Sequence, residues 1–135
     1  ERHDQEIERI AMQVARAHEE SLGAEVDDVS TPELARQAGF EKPPGFDLLS
    51  HRPGGEKRCI EVKGRRAVGD IELTENEWAK AANLRGDYWL YVVYDCATAY
   101  PRLLRVQDPF AKLLVRAKGG VIIDEGSVFK AAEEG

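Results

Sequence analysis

Three residues near the middle of the chain have types and spacing suited to chemistry on phosphate esters. Asp47 stands in "GFDLLS", Glu61 and Lys63 stand in "CIEVKG", and the turn signal "RPGGE" lies between them. Side chains alternate along a strand, so Ile60 and Val62 point one way while Glu61 and Lys63 point the other. A hairpin joining the two runs brings Asp47 beside Glu61. Two carboxylates so placed suit a hard divalent cation, Mg2+ or Mn2+, which takes oxygen ligands and keeps several waters. The backbone carbonyl of Val62 adds one more oxygen. Lys63 lies about 6 to 7 Å from Glu61 along the same face. From there it can orient an attacking water or stabilise charge developing on phosphorus. The competing reading is a strand edge that Glu61 and Lys63 merely keep soluble. Apolar Ile60 and Val62, and the acidic amphipathic segment upstream, argue against it.

The surrounding elements must hold these residues in place. Residues 6–22 put Ile7, Ile10, Ala11, Val14, Ala17 or His18, and Leu22 on one helical stripe that stops at Gly23. "TPELARQAG" reads as a short helix with Thr31 as cap and Pro32 in the first turn. Residues 46–50 and 58–63 read as hairpin strands, and "DIEL" (70–73) as a third strand. "TENEWAKAANLRG" opens with a capping box, Thr74 to Glu77, and ends at Gly86. "YWLYVVYD" (88–95) is apolar on both faces, as a central, covered strand must be. "RLLRVQ" (102–107) is a further strand, "DPFAKLLVRAKGG" (108–120) a helix capped by Asp108, and "VIID" a last short strand. "GSVFKAAEEG" is a frayed tail or a terminal helix. The order α, β, β, β, α, β predicts an α/β fold, a mixed sheet with helices on both sides.

Composition bounds the function. A chain of 135 residues with 42% hydrophobic and 33% charged residues is one globular domain, and no apolar run approaches the length of a membrane helix. The charged opening "ERHDQEIERI" has no starting methionine and no signal-peptide pattern, which points to a piece of a longer protein. Cys59 and Cys96 sit in apolar runs without CxxC spacing and read as buried free thiols of a cytoplasmic protein. His3, His18 and His51 are scattered, which leaves no zinc motif. "PGG" is a turn rather than a phosphate loop, since no GKS or GKT follows. The net charge is −6, but it is uneven: residues 1–28 carry nine acidic and three basic side chains, and residues 51–66 carry six basic and two acidic. Residues 102–118 add five basic against one acidic. Local field governs contact with a phosphate backbone, so nucleic acid stays open. Arg65 and Arg66 are the best phosphate contacts, followed by Lys57, Arg58 and Lys80. The aromatic residues read as core, although Trp78 in the first turn after "DIEL" is placed to line the site.

"GFDLLS…IEVKG" resembles the PD-(D/E)xK signature of restriction-endonuclease-like nucleases, with Asp47, Glu61 and Lys63 in its three motif places and Phe46 where the signature has proline. More widely, "IERIAM", "SLGAEVDDVS", "GFDLLS", "IEVKGRR", "IELTENEW" and "YWLYVV" are similar to a domain at the C-terminal end of large bacterial helicase-like proteins, including phage-defence systems. That domain is in turn similar to the end of the plant NO VEIN protein. The resemblance implies a restriction-endonuclease-like three-layer α/β/α fold with an αβββαβ core. It also implies metal-dependent cleavage of DNA and a helicase or ATPase domain as partner. A helical glutamate would complete the metal site: Glu8 fits the domain's pattern, while Glu19, three turns on and near the same helical face, and Glu20 are the alternatives, both also readable as solvated face. The second reading is a catalytically inactive module that holds nucleic acid or a neighbouring helicase domain, and a small-molecule enzyme is the third.

Overall fold

Ile7, Ala11 and Ala15, at helical spacing, form the buried stripe of α1 (Arg2–Ser21). The structure is a computed structural model and describes residues 2–117 and 119–133, with the side chains of Arg2 and His3 left out. The His3 side chain, Lys118 of the second basic block and the last two residues of the tail therefore lie outside the described residues.

After α1 come β1 (Glu25–Asp28), α2 (Pro32–Gln37), β2 (Leu48–His51) and β3 (Lys57–Gly64). Thr31 caps α2 by accepting from the Leu34 N–H at 3.2 Å. The strand β1 was not expected. Only Val26 of its four residues is buried, so its sequence carries almost no strand signal. It forms because β2 offers it a partner, in antiparallel register from Glu25 opposite His51 to Asp28 opposite Leu48. Its acidic side chains also blunt the edge of the sheet.

The chain continues through β4 (Ile71–Thr74), α3 (Glu75–Leu84) and a short 3-10 turn to β5 (Tyr88–Tyr94) and β6 (Arg102–Gln107). The central sheet has the order β1-β2-β3-β5-β6. β3 and β5 run parallel and the other neighbours run antiparallel. All seven residues of β5 are buried, as its two apolar faces require. Trp89, Tyr91 and Val93 face α1, together with Ile60 and Val62 of β3. Leu90, Val92 and Tyr94 face the opposite layer. The molecule is thus a mixed α/β fold with cover on both faces of a five-stranded sheet.

Two expectations need correction. "DIEL" does not join the central sheet: β4 pairs antiparallel with β8 (Gly120–Ile123), which pairs with β7 (Arg116–Ala117) in a separate three-stranded sheet. The place beside β3 is taken by β5, so β4 lays Ile71 and Leu73 flat against Leu90, Val92 and Tyr94 instead. The three central strands that precede α3 are therefore β1, β2 and β3. Nor do residues 108–120 form one helix. The helix α4 stops at Lys112 (Pro109–Lys112), and Leu113 turns extended to bury itself beside Val121 and Ile123. The Leu114 N–H then donates to Ser127 Oγ at 3.2 Å, and Arg116 and Ala117 enter β7. The run Leu113–Val115 is apolar without a helical period, and only Leu113 of the three is buried, while Leu114 and Val115 remain exposed.

The tail is helical. In α5 (Glu125–Ala131) Asp124 accepts from the Ser127 N–H at 2.8 Å, and Val128 is fully buried. Cys59 and Cys96 are buried and free, as expected. Among the described residues no helix is long and apolar enough to cross a membrane.

Candidate active site

Asp47 stands one residue before β2, with its backbone locked from both sides. Its N–H donates to the Ile60 carbonyl and its carbonyl accepts from the Val29 N–H, each at 2.8 Å. The loop can turn in here because of Gly45. Its φ is +94°, and the Lys80 Cε lies 2.9 Å from where a Cβ would stand. Phe46, at the signature's proline place, is buried with Cys59, Ala81 and Tyr88 and anchors the loop. Asp47 Oδ2 accepts from the Val62 N–H at 2.9 Å. In an extended strand a residue's N–H and C=O point to the same side. β2 pairs with β3 only as far as Ile60, so the Val62 carbonyl also faces Asp47 rather than a strand.

Glu61 and Lys63 share the face of β3 opposite Ile60 and Val62, as the alternation predicts. Glu61 is 4% exposed and sits close enough to Asp47, and to Glu77 in the first turn of α3, for their charges to act on it. Lys63 Nζ lies 3.6 Å from Glu61 Oε2 and 3.0 Å from Glu77 Oε1. Burial, with the charges of Asp47 and Glu77 added, pushes the Glu61 carboxyl well above the usual carboxylate range despite Lys63. Asp47 is also raised by burial, which outweighs the Val62 N–H, Glu61 and Lys63. Burial would raise Glu77 too, but the Thr74 N–H and Lys63 hold it below its ordinary value. Lys63 is raised, because Glu61, Glu77 and Asp47 outweigh the effect of its burial. Among these acids Glu61, the most enclosed, is pushed up furthest.

Glu8 reaches the same place from α1. An open cleft of about 420 Å³ is lined by Glu8, Asp47, Glu61, Lys63 and Glu77, with Ser30 and Thr31 at its rim. α1 comes this close because β3 ends in Gly64: a Cβ there would stand 2.6 Å from the Ala11 Cβ. Glu19, at the far end of α1, is fully buried and accepts from Ser50, Arg52 and Tyr91. Glu20 pairs with Arg16 on the surface at 3.1 Å. Of the three helical glutamates only Glu8 lines the cleft.

The basic residues separate in the same way. Arg65 and Arg66 are exposed and line a groove that shares Glu8 and Gly64 with the cleft. Arg58 is withdrawn: it is 7% exposed, stacks 3.6 Å over the Trp89 ring, and donates to the Tyr91 hydroxyl and to Glu56. No face of it is left for a phosphate. Lys57 is exposed at the opposite end of β3, about 20 Å from Lys63 at strand rise. Lys80 lies over Gly45 and lines a separate groove with Lys42, Pro43 and Asn83. Trp78 packs 5.3 Å from Phe110, ring to ring, and joins the core rather than the cleft.

The family model described as Protein NO VEIN, C-terminal, matches residues 7–106. The chain belongs to this family. No curated protein matches it, and no solved structure does. The residues matched to the NO VEIN C-terminal family include every side chain of the cleft and stop within β6, before α4, the small sheet's β7 and β8, and α5.

Among the described residues no three or more His, Cys, Asp or Glu side chains form a ready metal cage. The donor set is instead two converging carboxylates, a backbone carbonyl beside them, and Glu8 across the cleft. That set fits Mg2+ or Mn2+, which retain waters and rarely use an all-protein cage. The buried charge fits as well, since Asp47, Glu61 and Glu77 face one ammonium, and a divalent cation would discharge the excess. Glu77 is the residue that the sequence reading missed, having placed it only in a capping box. A helix linking two parallel strands can begin near the carboxyl end of the first, where α/β sheets bind ligands, and that rule would have flagged it.

Proposed function

We propose that this domain is a metal-dependent, endonuclease-like hydrolase of DNA phosphodiester bonds, built on a restriction-endonuclease-like version of its three-layer fold. The sheet supports the fold assignment: α1, then antiparallel β1-β2-β3, then α3 leading to β5 parallel to β3. The convergence of Asp47, Glu61 and Lys63 on one cleft, reached by Glu8 from α1, carries the functional assignment.

Asp47, Glu61 and the Val62 carbonyl, with Glu8 opposite, would hold Mg2+ or Mn2+, which would activate water and neutralise charge on the scissile phosphate. Lys63 donates from its ammonium to the attacked phosphate or to the attacking water. Arg65 and Arg66 hold flanking phosphates in the adjoining groove and set the register of the strand. The net charge of −6 makes this local basic groove necessary for approach to DNA. Attachment to a helicase or ATPase domain, a role in phage defence and a cytoplasmic location belong to the same proposal. The family resemblance and two buried free thiols support them.

A second reading, an inactive module that holds nucleic acid or a neighbouring helicase domain, is favoured by one observation. Lys63 already bridges Glu61 and Glu77, so the cleft carries an internal counter-ion. A nuclease assay with Mg2+ or Mn2+ on single-stranded, duplex and nicked DNA separates the two. In an enzyme, Lys63→Ala abolishes cleavage and leaves DNA binding largely intact, whereas Arg65→Ala with Arg66→Ala weakens binding and flattens its salt dependence. If the full-length protein with ATP cuts none of these substrates, the enzymatic reading is wrong.

A further inference from the structure

Glu77 has two neighbours where a helix cap needs one. In the capping box Thr74 Oγ1 accepts from the Glu77 N–H at 3.1 Å, and Glu77 Oε1 accepts from the Thr74 N–H at 2.9 Å. The same Oε1 lies 3.0 Å from the Lys63 ammonium, while Glu61 Oε2 is 3.6 Å from it. We propose that Glu77 is a positioning residue for Lys63: it draws the ammonium away from Glu61, so that Glu61 remains available to a divalent cation. This inference rests on reading the cleft as a cation site and adds a residue to it.

Four acidic residues surround Lys63. Glu61 comes from its own strand, Asp47 from the loop before β2, Glu77 from α3, and Glu8 lines the cleft from α1. Without the charge of Glu77 the nearest anions would be Glu61 and Asp47, the pair offered to the cation. An ammonium held on those oxygens would compete with the cation for them, since both are positive and both need the same lone pairs. Glu77 is suited to prevent this because its carboxylate is fixed. The Thr74 N–H ties it to the backbone of the first helical turn, and its side chain is only 21% exposed. Capping boxes accept Gln as well as Glu at this position. The cap by itself therefore gives no reason for a negative charge, and the Lys63 contact supplies one.

Calorimetric titration of Mn2+ into wild type, Glu77→Gln, Lys63→Ala and the double variant tests this at one fixed pH. Glu77→Gln keeps the cap and removes only the charge, so its melting temperature should stay close to that of wild type. Its Mn2+ affinity should fall roughly tenfold, the scale of one charge-assisted contact. In the Lys63→Ala background the same substitution should change Mn2+ affinity by less than about twofold, because no ammonium remains to compete. An equal loss in both backgrounds, or no loss in wild type, overturns the positioning role while leaving the cation site in place. A large drop in melting temperature with Glu77→Gln would make Glu77 a cap alone and also overturn it. If wild type binds no Mn2+, the cation reading fails, and this inference falls with it.

Discussion

Replacing Glu19 by Gln should separate stability from function in α1, and its size can be worked out. The carboxylate is fully buried and receives four donors. Oε1 accepts from Ser50 Oγ at 2.7 Å and Arg52 Nε at 2.9 Å, and Oε2 accepts from Arg52 Nη2 at 2.7 Å and the Tyr91 hydroxyl at 2.5 Å. Burial pushes its pKa up, but Arg52, Tyr91 and Ser50 outweigh that and hold it at about 2, against an ordinary 4.5. A depression of that size corresponds to roughly 3 kcal/mol at neutral pH. Breaking a buried ion pair by removing one partner costs about 3–5 kcal/mol, so two routes agree. Gln turns an NH2 toward groups that are themselves donors and leaves Arg52 without its counter-charge. Urea or thermal unfolding at pH 7 should show a loss of about 3 kcal/mol, on the order of 10 °C in a domain of this size. Because the folded pKa lies below the ordinary value, this stabilisation is complete above about pH 4.5. It is lost as the pH falls toward 2, so the gap between wild type and variant should close over that window. Mn2+ affinity should not change, since Glu19 lies about 16 Å along α1 from Glu8 at helical rise. A loss below about 1 kcal/mol, a gap that ignores pH, or a loss of Mn2+ binding would each refute this account.

Glu61→Gln should abolish Mn2+ binding yet raise stability in metal-free buffer by about 1 kcal/mol, because it removes a buried charge that Asp47 and Glu77 repel. Calorimetry and thermal melts check both parts, and a destabilised variant would contradict the buried repulsion. Gly64→Ala should destabilise by about 1–3 kcal/mol and weaken Mn2+ binding, since the new Cβ meets Ala11 and the Ile7 carbonyl and pushes α1, with Glu8, off β3. Wild-type affinity in a folded Gly64→Ala protein would detach Glu8 from the site. Arg58→Ala should lower the melting temperature by removing the Trp89 stack and the Tyr91 contact, without changing the salt dependence of DNA binding measured by fluorescence anisotropy. A flattened salt dependence would return Arg58 to the phosphate contacts.

Local sequence alone determined whatever depends on one element's own period. Tyr88–Tyr94 is apolar on both faces, and a strand of that kind is stable only when covered twice, so β5 had to be internal. Alternation put Glu61 and Lys63 on one face of β3 whatever lay opposite. Thr74 and Glu77 cap α3 through bonds made within four residues. Tertiary structure decided what depends on which element lies alongside. Glu8 and Glu19 share one helical face, and only the crossing of α1 over Gly64 sends the first to the cleft and the second to Arg52 and Tyr91. Arg58 and Arg65 belong to one basic block, yet the first stacks on Trp89 beneath α1 while the second follows the end of β3 into solvent. Ile71 with Leu73 in β4 follow the two-residue period of a strand, whereas β1 offers Val26 alone. Which sheet each one joins depended on the free edge of β2 and on the place beside β3 that β5 had already filled. Glu77 met Lys63 for the same reason, because contacts between distant segments follow from packing, and a one-dimensional period carries no record of its neighbours.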